Sequence, residues 1–401
     1  MTRRTMTVLT ALALAAPGAR AQETLLPSTG WGVATAINLW HFTKAIPQSS
    51  GAVADVAEVA LPFRLRANVG RWSVDLSGAA AYGAVHLAAG SSGDGEGEDR
   101  LVSIAGPTDV KLRLTGPLYG DALQLTAGIN LPTGKVGLNA DETGALQAVA
   151  APALRMPIAS FGTGPGLTLG FVKAFEGEDW AVAIGASAEQ RTEYSPIALA
   201  LTSGRAETKV TPGTAVHVTA GLDRRLGEGR WGLLAVGDVF SKDKVRLSGA
   251  GADESSDYTL GPQFTVSSQM ELAAPGWRAA ALNVAARVRS EFTDATGSKV
   301  SGSSGTYLEG SLGGVRGGPS GAGFIIGADA RWHSGLTFTD ALVGAAVTAA
   351  GLTLGVERAG SSTLTRFTVH GQYGSFDTGT LATTGFGVTI GMSVSARREA
   401  R

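Results

Sequence analysis

A rhythm of two runs through this chain and constrains the fold more than any other feature. It is plainest between Pro107 and Lys135. Val110, Leu112 and Leu114 share one parity, while Asp109, Lys111, Arg113 and Thr115 share the other. After the turn Gly116-Pro-Leu-Tyr-Gly120 the alternation resumes. Leu123, Leu125, Ala127, Ile129 and Leu131 then stand against Gln124, Thr126, Gly128 and Asn130. Successive side chains of a strand point to opposite faces, so this is a β-hairpin with one apolar and one polar face. Each arm has about ten residues, the length at which a tilted strand crosses a bilayer.

The unit recurs. Val59, Leu61, Phe63 and Leu65 alternate with Arg64, Arg66 and Asn68. Val216, Val218 and Leu222 alternate with His217, Thr219 and Asp223. Phe264, Val266 and Met270 oppose Gln263, Gln269 and Glu271, and Phe324 and Ile326 oppose Asp329 and Arg331. Connections alternate between long and short. That ordering belongs to barrels with long outer loops and tight periplasmic turns. The expected fold class is therefore all-β: a transmembrane antiparallel up-and-down β-barrel over residues 22–395. The strand number should be even, 14 or 16, with 14 expected. Candidate strands at Ala341–Val347, Leu352–Val356, Leu364–Tyr373 and Phe386–Val394 bring the total to an odd number, so one of them is misread.

The first residues read as a processing signal. Arg3 and Arg4 precede a short apolar run, Val8 to Ala16, and the small-x-small site Ala19-Arg-Ala21. A cleaved signal peptide over 1–21 follows, and with it export to the bacterial outer membrane. Removing it takes three arginines from 33 basic residues and none of the 34 acidic ones, leaving 30 against 34. So mild a balance speaks against nucleic acid as a partner. The chain has no cysteine, which excludes a lipid-modified cysteine, disulfides and thiolate metal sites. No run of 18 apolar residues follows the signal, so no transmembrane helix is expected. With 57 glycines and only 17% charged residues, a single Gly-rich barrel fits better than a string of soluble domains. A short tail, 396–401, ends the chain.

Tryptophan provides an independent check. Trp31, Trp72, Trp180, Trp231 and Trp277 each open a strand leaving the periplasmic side, and Trp40 and Trp332 lie near far strand ends. All seven are expected at the membrane interface, where an amphipathic indole is favoured.

The polar parity should form the interior. Its expected lining is Arg64, Arg66, Lys111, Arg113, Gln124, Asn130, His217, Asp223, Gln269, Glu271, Arg287, Arg289, Asp329, Arg331, Arg366 and His370. Ions of both signs there can pair or stay hydrated, whereas each would be costly against lipid. A barrel of 14 or more strands is too wide for side chains alone to fill. The connection from Pro132 to Gly164 is the candidate constriction loop, with Lys135, Asp141, Glu142 and Arg155 as its charged groups and Leu146, Val149, Leu154 and Met156 as a small apolar core. Loops of this length fold into the lumen or lie across the mouth. Ala145 to Arg155 is expected to hold a helical turn or two.

Catalytic and metal chemistry find little support. Asp94, Glu96, Glu98 and Asp99 lack the spacing of a Ca²⁺ loop. His333 and Ser334 are adjacent strand residues and would face opposite sides, which rules out a nucleophile–base contact within a strand. His217 and His370 share the polar face without a supporting ligand set. No enzyme, metal or cofactor is expected.

Three short segments carry a resemblance: Gly106-Pro-Thr-Asp-Val-Lys-Leu-Arg-Leu114, then Leu125-Thr-Ala-Gly-Ile-Asn-Leu-Pro-Thr-Gly-Lys135, then Gly162-Thr-Gly-Pro-Gly-Leu-Thr-Leu-Gly170. Over about 65 residues the chain resembles the outer-membrane transporters of the phenol meta-cleavage pathway, which are similar to fatty-acid and aromatic-hydrocarbon channels. The resemblance implies a channel for passive diffusion of small molecules, with small hydrophobic or aromatic compounds as cargo. The polar interior implies hydrophilic solutes instead. Two features depart from the family pattern: no Asn-Pro-Ala hatch signature follows the signal, and the last residue is Arg401, not phenylalanine. Expected partners are outer-membrane lipid and lipopolysaccharide, the small-molecule cargo and the barrel-assembly machinery, around a monomer. The alternative is a non-conducting structural or adhesive surface barrel.

Overall fold

The computed structural model describes residues 30–48, 51–89, 99–119, 123–201, 204–249, 252–317, 321–336 and 341–396. The signal peptide, acidic residues Asp94, Glu96 and Glu98, and the tail after Ala396 lie outside them.

The alternation of side chains becomes strands in chain order. These are β1 (Trp31–Gln48), β2 (Gly51–Val69), β3 (Trp72–Ala88), β4 (Arg100–Pro107), β5 (Val110–Tyr119), β6 (Leu123–Leu131), β7 (Gly166–Glu176) and β8 (Trp180–Arg191). A hairpin of β9 (Tyr194–Leu201) and β10 (Gly204–Thr211) follows, then β11 (Ala215–Leu226) and β12 (Gly229–Phe240). A second hairpin, β13 (Asp243–Gly249) and β14 (Ala252–Tyr258), precedes β15 (Gln263–Glu271), β16 (Trp277–Arg289), β17 (Gly305–Arg316) and β18 (Ala322–His333). The last three are β19 (Ala346–Ala359), β20 (Thr363–Asp377) and β21 (Ala382–Ala396). Two helices lie in the connections, α1 (Ala140–Val149) and α2 (Ala341–Gly344).

Seventeen strands form one antiparallel sheet, closed by β1 against β21 from Gly32↔Ser395 to Phe42↔Gly385. β4 and β5 succeed one another alongside β3, separated only by Thr108 and Asp109, so they fill one position and the wall has 16. The remaining strands, the two hairpins, build a separate four-stranded sheet in order β14-β13-β10-β9. The outward parity of the wall is a continuous apolar surface that includes Leu39, Leu65, Leu114, Phe171, Val218, Val284, Leu312, Leu354 and Ile390, all exposed. A belt of this extent is not tolerated in water, and a closed wall leaves no strand edge unpaired in lipid. The chain is a transmembrane β-barrel.

The wall has 16 strands, the larger of the two even numbers expected, and the misread strand is Ala341–Val347. Ala341–Gly344 is α2, because Leu342 and Ala345, three residues apart, are both fully buried under the barrel mouth. The short segment Leu352–Val356 is the middle of β19. The first connection is short: β1 and β2 run on to Gln48 and Gly51, as a hairpin of 18- and 19-residue strands. At about 3.3 Å per residue and a tilt near 40°, such strands rise well above a band of about 25 Å.

Candidate functional site

The interior is built from the inward parity, and the register places all 16 expected lining residues on that face. Arg64 lies opposite Ser77, Arg113 opposite Asp75 and Gly128, His217 opposite Asp238, Arg287 opposite Tyr307 and Arg331 opposite Glu309. Many of these charges meet across neighbouring strands. Arg64 pairs with Asp75 at 2.6 Å, Arg230 with Asp223 at 2.7 Å and His370 with Asp329 at 2.9 Å. His217 bonds Asp238 at 2.7 Å, and Gln263 donates to the same carboxylate at 3.0 Å. Arg366 and Arg278 converge on Glu357. Lys111, Arg66, Gln269 and Glu271 lie on the inward face of β5, β2 and β15, as do Asn130 on β6 and Arg289 on β16. Gln124 is buried on β6.

The connection from Pro132 to Gly164 runs into this interior. Its root is a single carboxylate. Asp109, in the gap between β4 and β5, accepts from Gly134 N–H at 2.8 Å, Thr163 N–H at 2.7 Å, Thr163 Oγ1 at 3.0 Å and Asn130 Nδ2 at 2.9 Å. Thr133 Oγ1 donates to the carbonyl of Thr108 at 3.1 Å and accepts from Val110 N–H at 2.9 Å. Both ends of the loop are thus fastened at one point of the wall. A Cβ at Gly134 would lie 2.7 Å from both Asp109 Oδ1 and Gly162 Cα, so only glycine fits there. The three segments that carry the family resemblance are the parts of this root.

Helix α1 begins earlier than expected, at Ala140 rather than Ala145. Asn139 caps it by accepting from Glu142 N–H at 2.9 Å, and Glu142 returns the contact to Asn139 N–H at 3.2 Å. This capping box was readable as Asn139-x-x-Glu142. Lys135 bonds Glu142 at 2.5 Å and Arg100 approaches Asp141 at 3.2 Å. For the Glu142 carboxyl, burial opposes ionisation. The Lys135 ion pair and the Asn139 N–H outweigh it and hold the group below its usual range. One face of the loop buries Val149, Leu154, Met156, Ile158 and Phe161 against Ile46, Val56, Val85 and Ile104 of the wall.

The far part of the loop is clamped by three wall side chains. Trp40 Nε1 donates to the carbonyl of Leu154 at 3.3 Å, Arg331 Nη2 to the carbonyl of Ala153 at 2.9 Å, and Ile158 N–H donates to Glu58 at 3.2 Å. Between them Arg155 adopts φ +54°, the left-handed region, alone among the described non-glycine residues. Its guanidinium meets Glu309 at 2.7 Å and sits 5.9 Å from the centre of the Tyr307 ring. The loop is therefore a strap from the β4–β6 side of the wall to β17 and β18.

Trp40 corrects an expectation. It is 2% exposed, on the inward face with Ala36 and Asn38, packed edge-on to Phe376 at 5.3 Å. It is no interface residue; it lies under the strap. Trp31, Trp72, Trp180, Trp231 and Trp277 are on the outward face at the rim of short turns, and Trp332 is outward near the opposite rim. Trp72 lies over Gly116, where any side chain would strike its ring. Sequence reading missed Glu58, Asp109, Tyr307 and Glu309. Glu58 shares the parity of Arg64 and was findable on that ground. Tyr307 and Glu309 belong to a strand whose glycines blur its alternation. Ser334 accepts from Thr306 N–H at 2.9 Å.

Fold and interior together define a class: a 16-stranded transmembrane β-barrel whose longest inward loop is bolted across a charged lumen. No protein-family model matches the chain and no curated protein matches it. Among solved structures it is similar to the TodX monoaromatic hydrocarbon channel deltaS2 mutant, with TM-score 0.45 at 10% identity over 92% of this chain and 90% of that one. It is similar also to OprB of Pseudomonas putida, with TM-score 0.43 at 11% identity over 92% and 94%. A third is OmpT, an outer membrane protein of Vibrio cholerae, with TM-score 0.37 at 11% identity over 94% and 100%. Likeness at this level concerns architecture alone.

Proposed function

We propose that this chain is an outer-membrane channel through which small molecules diffuse passively, with the strap at 132–164 as its constriction. The observation that carries the reading is the strap itself. It is fastened at Asp109 and clamped at Ala153, Leu154 and Ile158, inside a wall whose inward face is polar and charged. In this reading the 16 inward residues line the diffusion path. Lys135, Asp141, Glu142 and Arg155 are the charges of the constriction loop. The rim of short turns faces the periplasm, and Trp31, Trp72, Trp180, Trp231, Trp277 and Trp332 anchor the wall in lipid and lipopolysaccharide. Residues 1–21 direct export and are removed, the assembly machinery inserts the barrel, and it works as a monomer without catalysing a reaction. The polar lining favours hydrophilic cargo over the hydrophobic compounds that the family resemblance implies.

The test is electrical. Purified protein added to a planar bilayer should give stepwise current, with larger steps when 140–158 are replaced by a short glycine linker. A folded barrel that passes no current at any voltage would instead favour a structural surface barrel.

A further inference from the structure

On the outward face, at the rim of short turns, two indoles bracket an arginine. Arg224 on β11 lies opposite Trp180 on β8 to one side and Trp231 on β12 to the other. The register keeps all three side chains on the lipid face, with Val182, Leu222 and Leu233 in the next outward row. Neighbouring strands are about 4.8 Å apart, so the two tryptophans stand about 10 Å from each other with Arg224 between them. The turn between β7 and β8 adds Glu178 and Asp179. It is held against β11 by Arg225 N–H, which donates to the Asp179 carbonyl at 2.8 Å. Glu178, Asp179, Trp180, Leu222, Arg224 and Trp231 line one open cavity of about 330 Å³, within the range of small-ligand sites.

The charges in this cavity lack protein partners. Among the described residues no hydrogen bond or ion pair engages the side chain of Arg224, Glu178 or Asp179. Around the same turn the inward face behaves differently, for there Arg230 is paired with Asp223. An outward arginine costs little at this depth, because it stands among headgroups and not in hydrocarbon. The acceptors that headgroups supply are phosphate oxygens.

The geometry points to a lipid site: the cavity between Trp180 and Trp231 takes the headgroup of a zwitterionic phospholipid with a primary ammonium, the chemistry of phosphatidylethanolamine. Arg224 donates to the phosphate, the ammonium lies against Glu178 and Asp179, and the indoles flank the glycerol, with Leu222 under the first methylenes. The guanidinium fork suits a phosphate. The two carboxylates set the preference. A headgroup ending in hydroxyls, as in phosphatidylglycerol, leaves them unanswered and adds only negative charge beside them. This inference rests on the periplasmic orientation proposed above, which puts the cavity in the phospholipid leaflet, and not on conduction.

The experiment titrates the protein, purified from outer membrane in detergent, with phosphatidylethanolamine, phosphatidylglycerol or lipid A, and counts bound lipid by native mass spectrometry. Phosphatidylethanolamine should be held about tenfold more tightly than phosphatidylglycerol, the worth of one charge-assisted contact. An R224Q variant with unchanged folded gel mobility should lose this retention. An E178Q/D179N variant should still hold phosphatidylethanolamine, and hold phosphatidylglycerol equally well. Equal retention of all three lipids by the unaltered protein, tighter retention of either of the others, or an R224Q variant that behaves like it, overturns the assignment. Orientation is read separately. The chain has no cysteine, so E228C in the turn between β11 and β12 is a sole thiol. A membrane-impermeant maleimide should leave it unlabelled on intact cells. Labelling overturns the orientation and this inference with it, whereas an unlabelled thiol without the lipid preference overturns the inference alone.

Discussion

Asp109→Ala should release the strap while leaving the wall closed. The carboxylate is buried and receives four donors. Asn130 keeps a second acceptor, the carbonyl of Gly164 at 2.6 Å, so its loss is small. The backbone N–H groups of Gly134 and Thr163 have no such alternative and are left bare. Each bare buried donor costs about 1–3 kcal/mol, so the root weakens by about 3 kcal/mol once water partly compensates. At about 1.4 kcal/mol per decade, the opening constant of the strap rises roughly a hundredfold. Hydrogen exchange in detergent micelles reads this directly. The amides of Gly134 and Thr163 should exchange about a hundredfold faster in D109A, while amides in the middle of β1 and β20 stay protected. Asp109→Asn keeps one acceptor and should lie between. If Gly134 and Thr163 exchange at wild-type rates in D109A, the root does not depend on this carboxylate and the reasoning is wrong.

Four further outcomes follow from the same structure. Brominated lipid should quench a variant retaining only Trp180, but not one retaining only Trp40, because Trp40 is sealed inside the wall. Trp40→Ala removes a fully packed indole beneath the strap and should cost about 3–5 kcal/mol, seen as a lower temperature for loss of the folded gel band. The Glu142 carboxyl is held below its usual range, so the Lys135 pair contributes above the unfolded value, about 4.3, and is lost as pH falls through the lower folded one. Hydrogen exchange in α1 should therefore rise at acid pH, and Lys135→Met should weaken that dependence, the Asn139 N–H contact to Glu142 remaining. Arg155→Gln, which breaks the contact with Glu309, should broaden current noise by letting the strap tip move.

The wall was legible because its rule is local. Side chains alternate residue by residue, and a lipid-facing belt forces the apolar set outward. Parity alone therefore assigned Arg64, His217, Arg287 and Asp329 to the inside, on strands far apart in the chain. Trp40 was misplaced by the same rule left unapplied. It was judged by its position near a strand end, although its parity with Ala36 and Asn38 turns it inward. The one segment misread as a strand was Ala341–Val347, whose first four small or apolar residues suit a strand and a helical turn equally. Burial of Leu342 and Ala345 on one side decides for the helix, and that burial depends on a core assembled from distant strands. Two hairpins, β9–β10 and β13–β14, were not foreseen; they are short and pair with one another, not with the wall. The path of the strap was the least legible part. Its anchors are Asp109 at one end and Trp40, Arg331 and Glu58 at the other, and no local pattern joins them.

The strap also has a mechanical consequence. A closed ring of 16 strands is a hoop, and each strand pairing in it can flex like a hinge. Lateral pressure from the surrounding lipid can flatten such a hoop into an ellipse without breaking a single ladder bond. A member tied at Asp109 on one side and at Glu309 and Arg331 on another acts as a strut, and it converts the hoop into a braced frame. The roundness of the wall and the width of the passage then cease to be separate properties. Anything that loosens the strut softens the ring, and any tension that deforms the ring is felt at Arg155.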